Sequence, residues 1–355
     1  MAASIEDVAR RAGVSIATVS RALRGLPDVA SNTRNRVLEA AAELDYVASP
    51  FAARLASGRT ATVGVVVPFV NRWFFAEVID TVETSLRKAG FDLLLYNLGD
   101  EAGRARFFDV MPMRKRVDAV LVVSLVLSDD EITALESLGC PVGLLGFARE
   151  GFLSTRIDDV ASARAAVAHL TGLGHRRIGL IGGDTDDPMR FTPPLHRADG
   201  YREALIDVGV EPDPSLEVLG YFTTGGGEQA CYTLMANADP PTAIFAESDE
   251  MAYGAMRALR KMGKRVPQDV AIIGFDDHPT AELMDLSTIR QPVAEQAVDV
   301  GTRLLADISS TSGHDGKDGK DGKEATEGRA KAAQDVVLPT DVIVRGSSDP
   351  SKTVY

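Results

Sequence analysis

The chain has 355 residues, 45% of them apolar and 25% charged, the balance of a folded protein of two or three domains with a substantial core. No apolar run reaches the ~18 residues of a membrane-spanning helix, and MAASIEDVARRAG has helical apolar spacing rather than the unbroken stretch of a secretory leader, so no membrane partner is expected and the cytoplasm is the expected location. The net charge of −13 argues against nucleic acid, but residues 1–60 carry eight Arg and no Lys against six acids, which confines any DNA contact to a slightly basic N-terminal end.

The first element is a helix over Ile5–Ala12. Ser4 is its cap, and Glu6 and Asp7 sit in its first turn, where the helix dipole favours negative charge. Gly13 supplies a left-handed turn residue, Ser15 caps again, and a second helix follows over 16–24. Ile5, Val8, Ala9 and Ala12, then Val14, Ala17 or Thr18, Val19, Ala22 and Leu23, have the spacing of two helices crossing over a small core. A third helix is read as capped by Ser31, with Val37, Leu38, Ala41, Leu44 and Tyr46 on one face. This is a helix-turn-helix whose second helix would enter the major groove. Ile16 and Ala17 at its start suit a thymine methyl, and Arg21 one turn later suits a bidentate contact to guanine. Ser4, Ser15, Thr18, Ser20, Asn32 and Thr33 are candidates for positioning the module on phosphates.

These phrases, DVARRAGVSIATVSRALRG followed by TRNRVLEAAAELDYVASPFAARLASGRT, resemble the DNA-binding headpiece and hinge of the lactose/galactose-repressor (LacI/GalR) family. A headpiece over 1–47 and a hinge over 48–60 are expected. Pro50 suits a first helical turn, Phe51, Ala52, Ala53, Leu55 and Ala56 continue it, and Gly58 ends it. Two turns of helix are marginal in water, so this segment is expected to order only on binding. The resemblance implies that paired hinge helices of a homodimer insert Leu55 as a wedge into the minor groove. A plain interdomain linker is the alternative.

From Thr62 the pattern changes to alternating strand and helix. Buried strands are read over 63–69, 92–96, 119–124 and 142–146, separated by helices over 74–89, 101–113 and 130–138. The series resumes with helices over 160–171, 198–208, 227–236 and 249–262 and strands over 177–183, 218–221, 242–246 and 270–277. The fold class is therefore an all-α headpiece followed by an α/β body of two doubly wound parallel-sheet subdomains, with ligand bound at the carboxyl ends of the strands. The phrases GLGHRRIGLIGG, RADGYREAL, SDEMAYGAMRAL, VPQDVAIIGFDD and LSTIRQP resemble the family again, whose body is like a periplasmic sugar-binding protein. The body is placed at 61–345, with a first subdomain over about 61–157 and 290–308 and a second over about 158–289 and 334–345. The chain would cross between them three times, a helix over 293–307 returning to the first and a strand over 335–345 joining the second. Residues 309–333, rich in Gly, Lys and Asp, read as a flexible insertion. The C-terminus has no leucine heptads, so a dimer is expected.

The resemblance implies a small carbohydrate-like effector held by Trp73, Phe75, Ser124, Phe147, Arg197, Phe222, Ser248 and Asp276. Arg197 offers a planar fork of donors to vicinal oxygens, and Asp276 accepts from hydroxyls. Trp73, Phe74 and Phe75 are not all expected to face inward. Asp249 reads as a helix cap as readily as a ligand residue, Phe222 as core as readily as an aromatic platform, Asp277 as surface, and His278 as loop. Gly146-Phe147 stands where many relatives carry Asp or Asp-Arg, which leaves room for a larger or less hydroxylated ligand. Cys140 and Cys231 match no metal spacing, and neither metal nor cofactor is expected. A DNA-binding transcription regulator, most simply a repressor on a pseudo-palindromic operator, is the reading. A cytoplasmic small-molecule-binding protein or a head-fused sugar kinase is the alternative; the glycine clusters at 182–183 and 225–227 lack phosphate-loop spacing, so no enzyme is expected.

Overall fold

The computed structural model describes residues 3–23, 28–46, 59–311 and 335–352. They form two compact units, residues 1–61 with 115–118, and 62–114 with 119–355.

In the first unit, α1 (Ile5–Ala12) opens on a capping box: the Asp7 N–H donates to Ser4 Oγ while the Ser4 N–H donates to the Asp7 carboxylate. Gly13 ends it in the left-handed conformation at φ 65°. Ser15 caps α2 (Ile16–Leu23) by accepting from the Thr18 N–H at 3.1 Å. α3 (Ser31–Glu43) departs from expectation at its start: Ser31 is the first helical residue, and Ala30 is the cap, with no side-chain bond. Val8, Ala9, Ala12, Val19, Ala22, Val29, Val37, Ala40 and Ala41 make the core. Leu38 is half exposed, because a helix turning ~100° per residue cannot bury it together with both Val37 and Ala40.

The second unit holds two sheets. The first comprises β1 (Thr62–Val67), β2 (Asp92–Asn97), β3 (Ala119–Val123), β4 (Val142–Leu145), β5 (Leu153–Ile157) and β11 (Asp335–Leu338), all parallel, in the order β11-β5-β4-β3-β1-β2. The second comprises β6 (Ile178–Gly182), β7 (Glu217–Leu219), β8 (Ala243–Ala246), β9 (Ala271–Asp276), β10 (Ser287–Arg290) and β12 (Asp341–Ile343), in the order β12-β10-β9-β8-β6-β7, with only β12 antiparallel. Helices α4 (Trp73–Lys88), α5 (Glu101–Val110) and α6 (Asp129–Glu136) follow strands of the first sheet. α7 (Asp159–Gly172), α8 (Pro193–Asp207), α9 (Thr224–Met235), α10 (Asp249–Lys261) and the short α11 (Pro279–Leu283) serve the second. α12 (Val293–Thr311) returns to pack Val293, Ala297, Val300 and Leu304 into the core of the first sheet. Apolar residues fill both faces of the second sheet.

The sequence-based expectation of three crossings matches the order of the strands. The short strands β5 and β10 were not foreseen, and the expected strand over 335–345 is two: Asp335–Leu338 pairs with β5, and Asp341–Ile343 with β10. Pro339 lies between them and cannot donate to a ladder, so the strand breaks there and the chain changes sheet. Residues 335–338 therefore belong to the first subdomain, not the second. α12 runs through Thr311, past the expected start of the insertion at 309; residues 312–334, like Leu55 and residues 48–58 of the expected hinge, lie outside the described residues.

Candidate effector cavity and DNA-reading face

The carboxyl ends of β3, β4 and β5 face those of β8, β9 and β10 across a cleft that encloses about 590 Å³ of free space open to solvent. Seven of the eight residues expected to hold an effector line it: Trp73, Phe75, Ser124, Arg197, Phe222, Ser248 and Asp276. Phe147 does not, which is a correction. β4 ends at Leu145, Gly146 turns the chain at φ 86°, and the cavity is lined by Gly146 while Phe147 is buried away from it. A Cβ on Gly146 would come within 2.4 Å of Ser124 Oγ, so the close approach of β3 and β4 ends needs glycine here. Trp73, Phe74 and Phe75 all touch the cavity, and Phe75 is at the same time part of the buried core of the first sheet, with Trp73 and Phe74 packed against it. Phe191 and Phe222 face them, ring centroids 5.4 Å apart, and Phe191 lies 6.0 Å from Phe75.

Arg197 lies near the start of α8, is 5% exposed and is held on three sides. Its Nε donates to Asp159 at 2.8 Å, its Nη1 to the Glu247 carbonyl, and its guanidinium sits 3.6 Å over the Phe275 ring. Asp276 ends β9 with φ 125° and accepts from the amide of Gln291. Burial pushes its carboxyl up to about 7, against the lowering effects of Arg197 and Gln291. Glu247 accepts from the Gly183 N–H at 2.8 Å, and burial pushes it up to about 8. Asp249 is raised by burial and by neighbouring Asp276; it accepts from Thr288 Oγ1 at 2.7 Å and the His278 N–H at 2.8 Å. Ser248, not Asp249, is the helix cap, accepting from the Met251 N–H. Asp277 is paired with Arg290 at 2.6 Å and Arg345 at 2.8 Å, away from the cavity. His278 caps α11 and packs against Trp73, ring centroids 5.2 Å apart.

Arg72, Asp159, Phe191, Glu250, Gln291 and Gln296 also line the cavity and were not singled out from sequence. Arg72 lies 4.2 Å from the Phe69 centroid and 5.6 Å from that of Phe222, and burial raises the Glu250 carboxyl against the lowering effect of the Arg72 charge. Further out, Arg104 pairs with Glu131 at 2.8 Å and reaches the Met189 carbonyl of the opposite subdomain, while the Val126 N–H donates to the Arg190 carbonyl at 3.2 Å. None of these positions has a local pattern that marks it. They come from loops and helix starts that only the tertiary fold brings together.

On the headpiece, the cap Ser15 and, on α2, Ile16, Ala17 and Arg21 lie exposed, with Thr18 and Ser20 half-buried beside them. Arg21 lies 3.6 Å from Asp28, both side chains more than half exposed, a separation at which solvent screens the pair. Asn32 and Thr33 lie in the first turn of α3. The hydroxyl of Ser4 donates to Asp7 at 2.8 Å within the capping box. Among the described residues no helix is long and apolar enough to cross a membrane, and no cluster of metal-ligating side chains occurs.

Comparison with known proteins matches residues 4–49 to the bacterial regulatory proteins of the lacI family and residues 167–348 to a periplasmic binding protein-like domain. The transcriptional regulator DegA of Bacillus subtilis is 31% identical over 99% of this chain and its own full length. The transcriptional repressor CytR of Escherichia coli is 36% identical over 82% of this chain and 85% of its own. A solved structure of the regulator CelR in complex with cellobiose superposes with a TM-score of 0.68 at 31% identity, covering 98% of this chain and all of that one. These relatives regulate transcription and are not enzymes. With a capped helix-turn-helix at one end and a two-sheet cleft in the body, the chain belongs to the LacI family of DNA-binding bacterial transcription regulators.

Proposed function

We propose that this chain represses transcription in the cytoplasm as a homodimer on a pseudo-palindromic operator, and that a small carbohydrate-like effector in the body cleft controls its DNA affinity. The observation that carries the effector reading is one cavity that joins aromatic faces to the Arg197–Asp159 pair and the buried Asp276. Flat rings and a carboxylate that accepts hydroxyls suit a sugar ring, and the relative CelR is described with cellobiose bound. The dimer is supported by β2, an edge strand with Leu95 exposed and Leu93 and Leu94 half-buried, which a second copy would cover.

In this reading Arg21 reads guanine, Ile16 and Ala17 meet a thymine methyl, and Ser4, Ser15, Thr18, Ser20, Asn32 and Thr33 fix register on phosphates. Leu55 wedges the minor groove. The coupling is thermodynamic: the effector binds one arrangement of the two subdomains better, and that arrangement favours or disfavours paired hinge helices. The test is selection of genomic fragments by the purified protein, with and without a pool of small metabolites. Enrichment of one pseudo-palindrome, released or strengthened by the pool, is the expected outcome, and Asp276→Asn should abolish the response while leaving operator binding intact. No enrichment under either condition would overturn the regulator reading at this headpiece.

A further inference from the structure

Two glutamine amides line the cavity, and they are used differently. Gln291 donates to the Asp276 carboxylate. Gln296, in the first turn of α12, is 1% exposed, and its Nε2 is buried with no hydrogen-bond partner among the described residues. Buried side-chain donors are nearly always bonded, because desolvating one without a new partner is unfavourable. An unmatched donor in a cavity wall is a standing preference for a ligand that brings the acceptor.

The placement of the two amides gives that preference a direction. Gln296 rides on α12, whose apolar face is part of the first sheet's core, while Asp276 ends β9 and Gln291 directly follows β10 in the second. The lining charges are largely matched within the protein: Arg197 is paired with Asp159, and the carboxylates of Glu250 and Asp187 act on Arg72. A neutral ligand therefore fits better than an ion.

Building on the effector reading above, we propose that Gln296 is a specificity-determining donor: it selects a neutral, ring-bearing ligand that presents an acceptor oxygen to the first subdomain while its hydroxyls donate to Asp276 on the second. A ligand that satisfies both groups bridges the cleft, so its identity and subdomain closure become one event. A ring lacking the oxygen leaves the amide unmatched and is rejected, as sites built around a buried donor reject analogues that cannot complete the bond.

The experiment compares full-length wild type, Gln296→Met and Asp276→Asn by thermal unfolding and calorimetry with D-ribose, D-glucose and cellobiose as probes. The probe that stabilises the wild type should bind Gln296→Met about tenfold or more weakly. Its single-deoxy analogues should identify one oxygen whose removal weakens the wild type but not Gln296→Met. Without any probe, Gln296→Met should unfold at or above the wild-type temperature, since it removes an unmatched donor. Equal probe binding by wild type and Gln296→Met, with Asp276→Asn impaired, overturns the role of Gln296 and leaves the effector cavity standing. Unimpaired binding by both variants counts against the cavity itself. If none of the three sugars binds, the probe-free comparison decides: a clearly lower unfolding temperature for Gln296→Met means that the protein already pairs the amide, and the proposal fails.

Discussion

At the residue scale, the least expected feature is the number of carboxyls gathered behind the cleft. Glu247, Asp249 and Asp276 are all pushed upward, in each case by burial first. Glu247 lies among the Gly183 N–H, Arg197, Arg202 and Asp159, and its Oε1 has no partner among the described residues. Its folded-state value of about 8 exceeds the ~4.3 of an unfolded glutamate, so the folded protein holds a proton that the unfolded chain has released. The stability from this group is complete below about pH 4 and is lost as pH rises toward 8. Glu247→Gln carries no such dependence. Its unfolding temperature should gain on the wild type steadily between pH 5 and 8.5, and parallel profiles for the two proteins would refute a buried proton at this site. The sequence makes Asp276 legible through the resemblance of GFDDH to the family. Glu247 has no such mark, since a glutamate after the strand AIFA reads equally well as exposed.

At the scale of elements, the cleft depends on glycine where two walls nearly touch. A Cβ on Gly183, just beyond β6, would lie 2.1 Å from Phe222 Cε2 and 2.6 Å from Pro194 Cγ. Gly183→Ala should therefore push the Phe222 ring off the cavity wall and cost about 1–3 kcal/mol by overpacking. Loss of both unfolding temperature and effector response is expected, and a full response would show that the wall yields without consequence. The glycine cluster that lacked phosphate-loop spacing has a packing reason here. For the hinge, Leu55→Ala should weaken operator binding far more than binding to random DNA, as measured by titration of both duplexes. Equal losses would sink the wedge. That expectation rests on the sequence reading of the hinge, because Leu55 lies outside the described residues.

At the scale of the molecule, the two subdomains are tied by polar contacts at the cleft's outer edge. Arg104 is 5% exposed and joins Glu131 and the Val126 carbonyl of its own subdomain to the Met189 carbonyl of the other. Burial acts to raise Glu131, but hydrogen bonds from Arg104 and Ser128 and the charge of Arg104 hold it below the usual glutamate value. Arg104→Met leaves that carboxylate uncompensated and should destabilise the body by roughly 3–5 kcal/mol. Adding Glu131→Gln should restore most of the unfolding temperature. The cross-cleft bond to Met189 would still be missing, so solution scattering should find the double variant more open than wild type. Full stability of Arg104→Met alone would mean that the pair contributes nothing to closure.

The sequence by itself determined the kind of protein. Caps, left-handed turn glycines and apolar spacing are local properties, and they placed α1, Gly13 and the start of α2 where the structure has them, with most of the buried strands close to their observed ends. Seven of the effector candidates that the family resemblance implies line one cavity. Tertiary structure alone decided the rest. It split the final strand at Pro339, seated Phe147 away from the cleft, set all three aromatics of 73–75 along it and left the Gln296 amide unmatched. Those outcomes depend on which loop ends meet across two sheets and which polar groups are left without partners. No residue's neighbours in the chain carry that information.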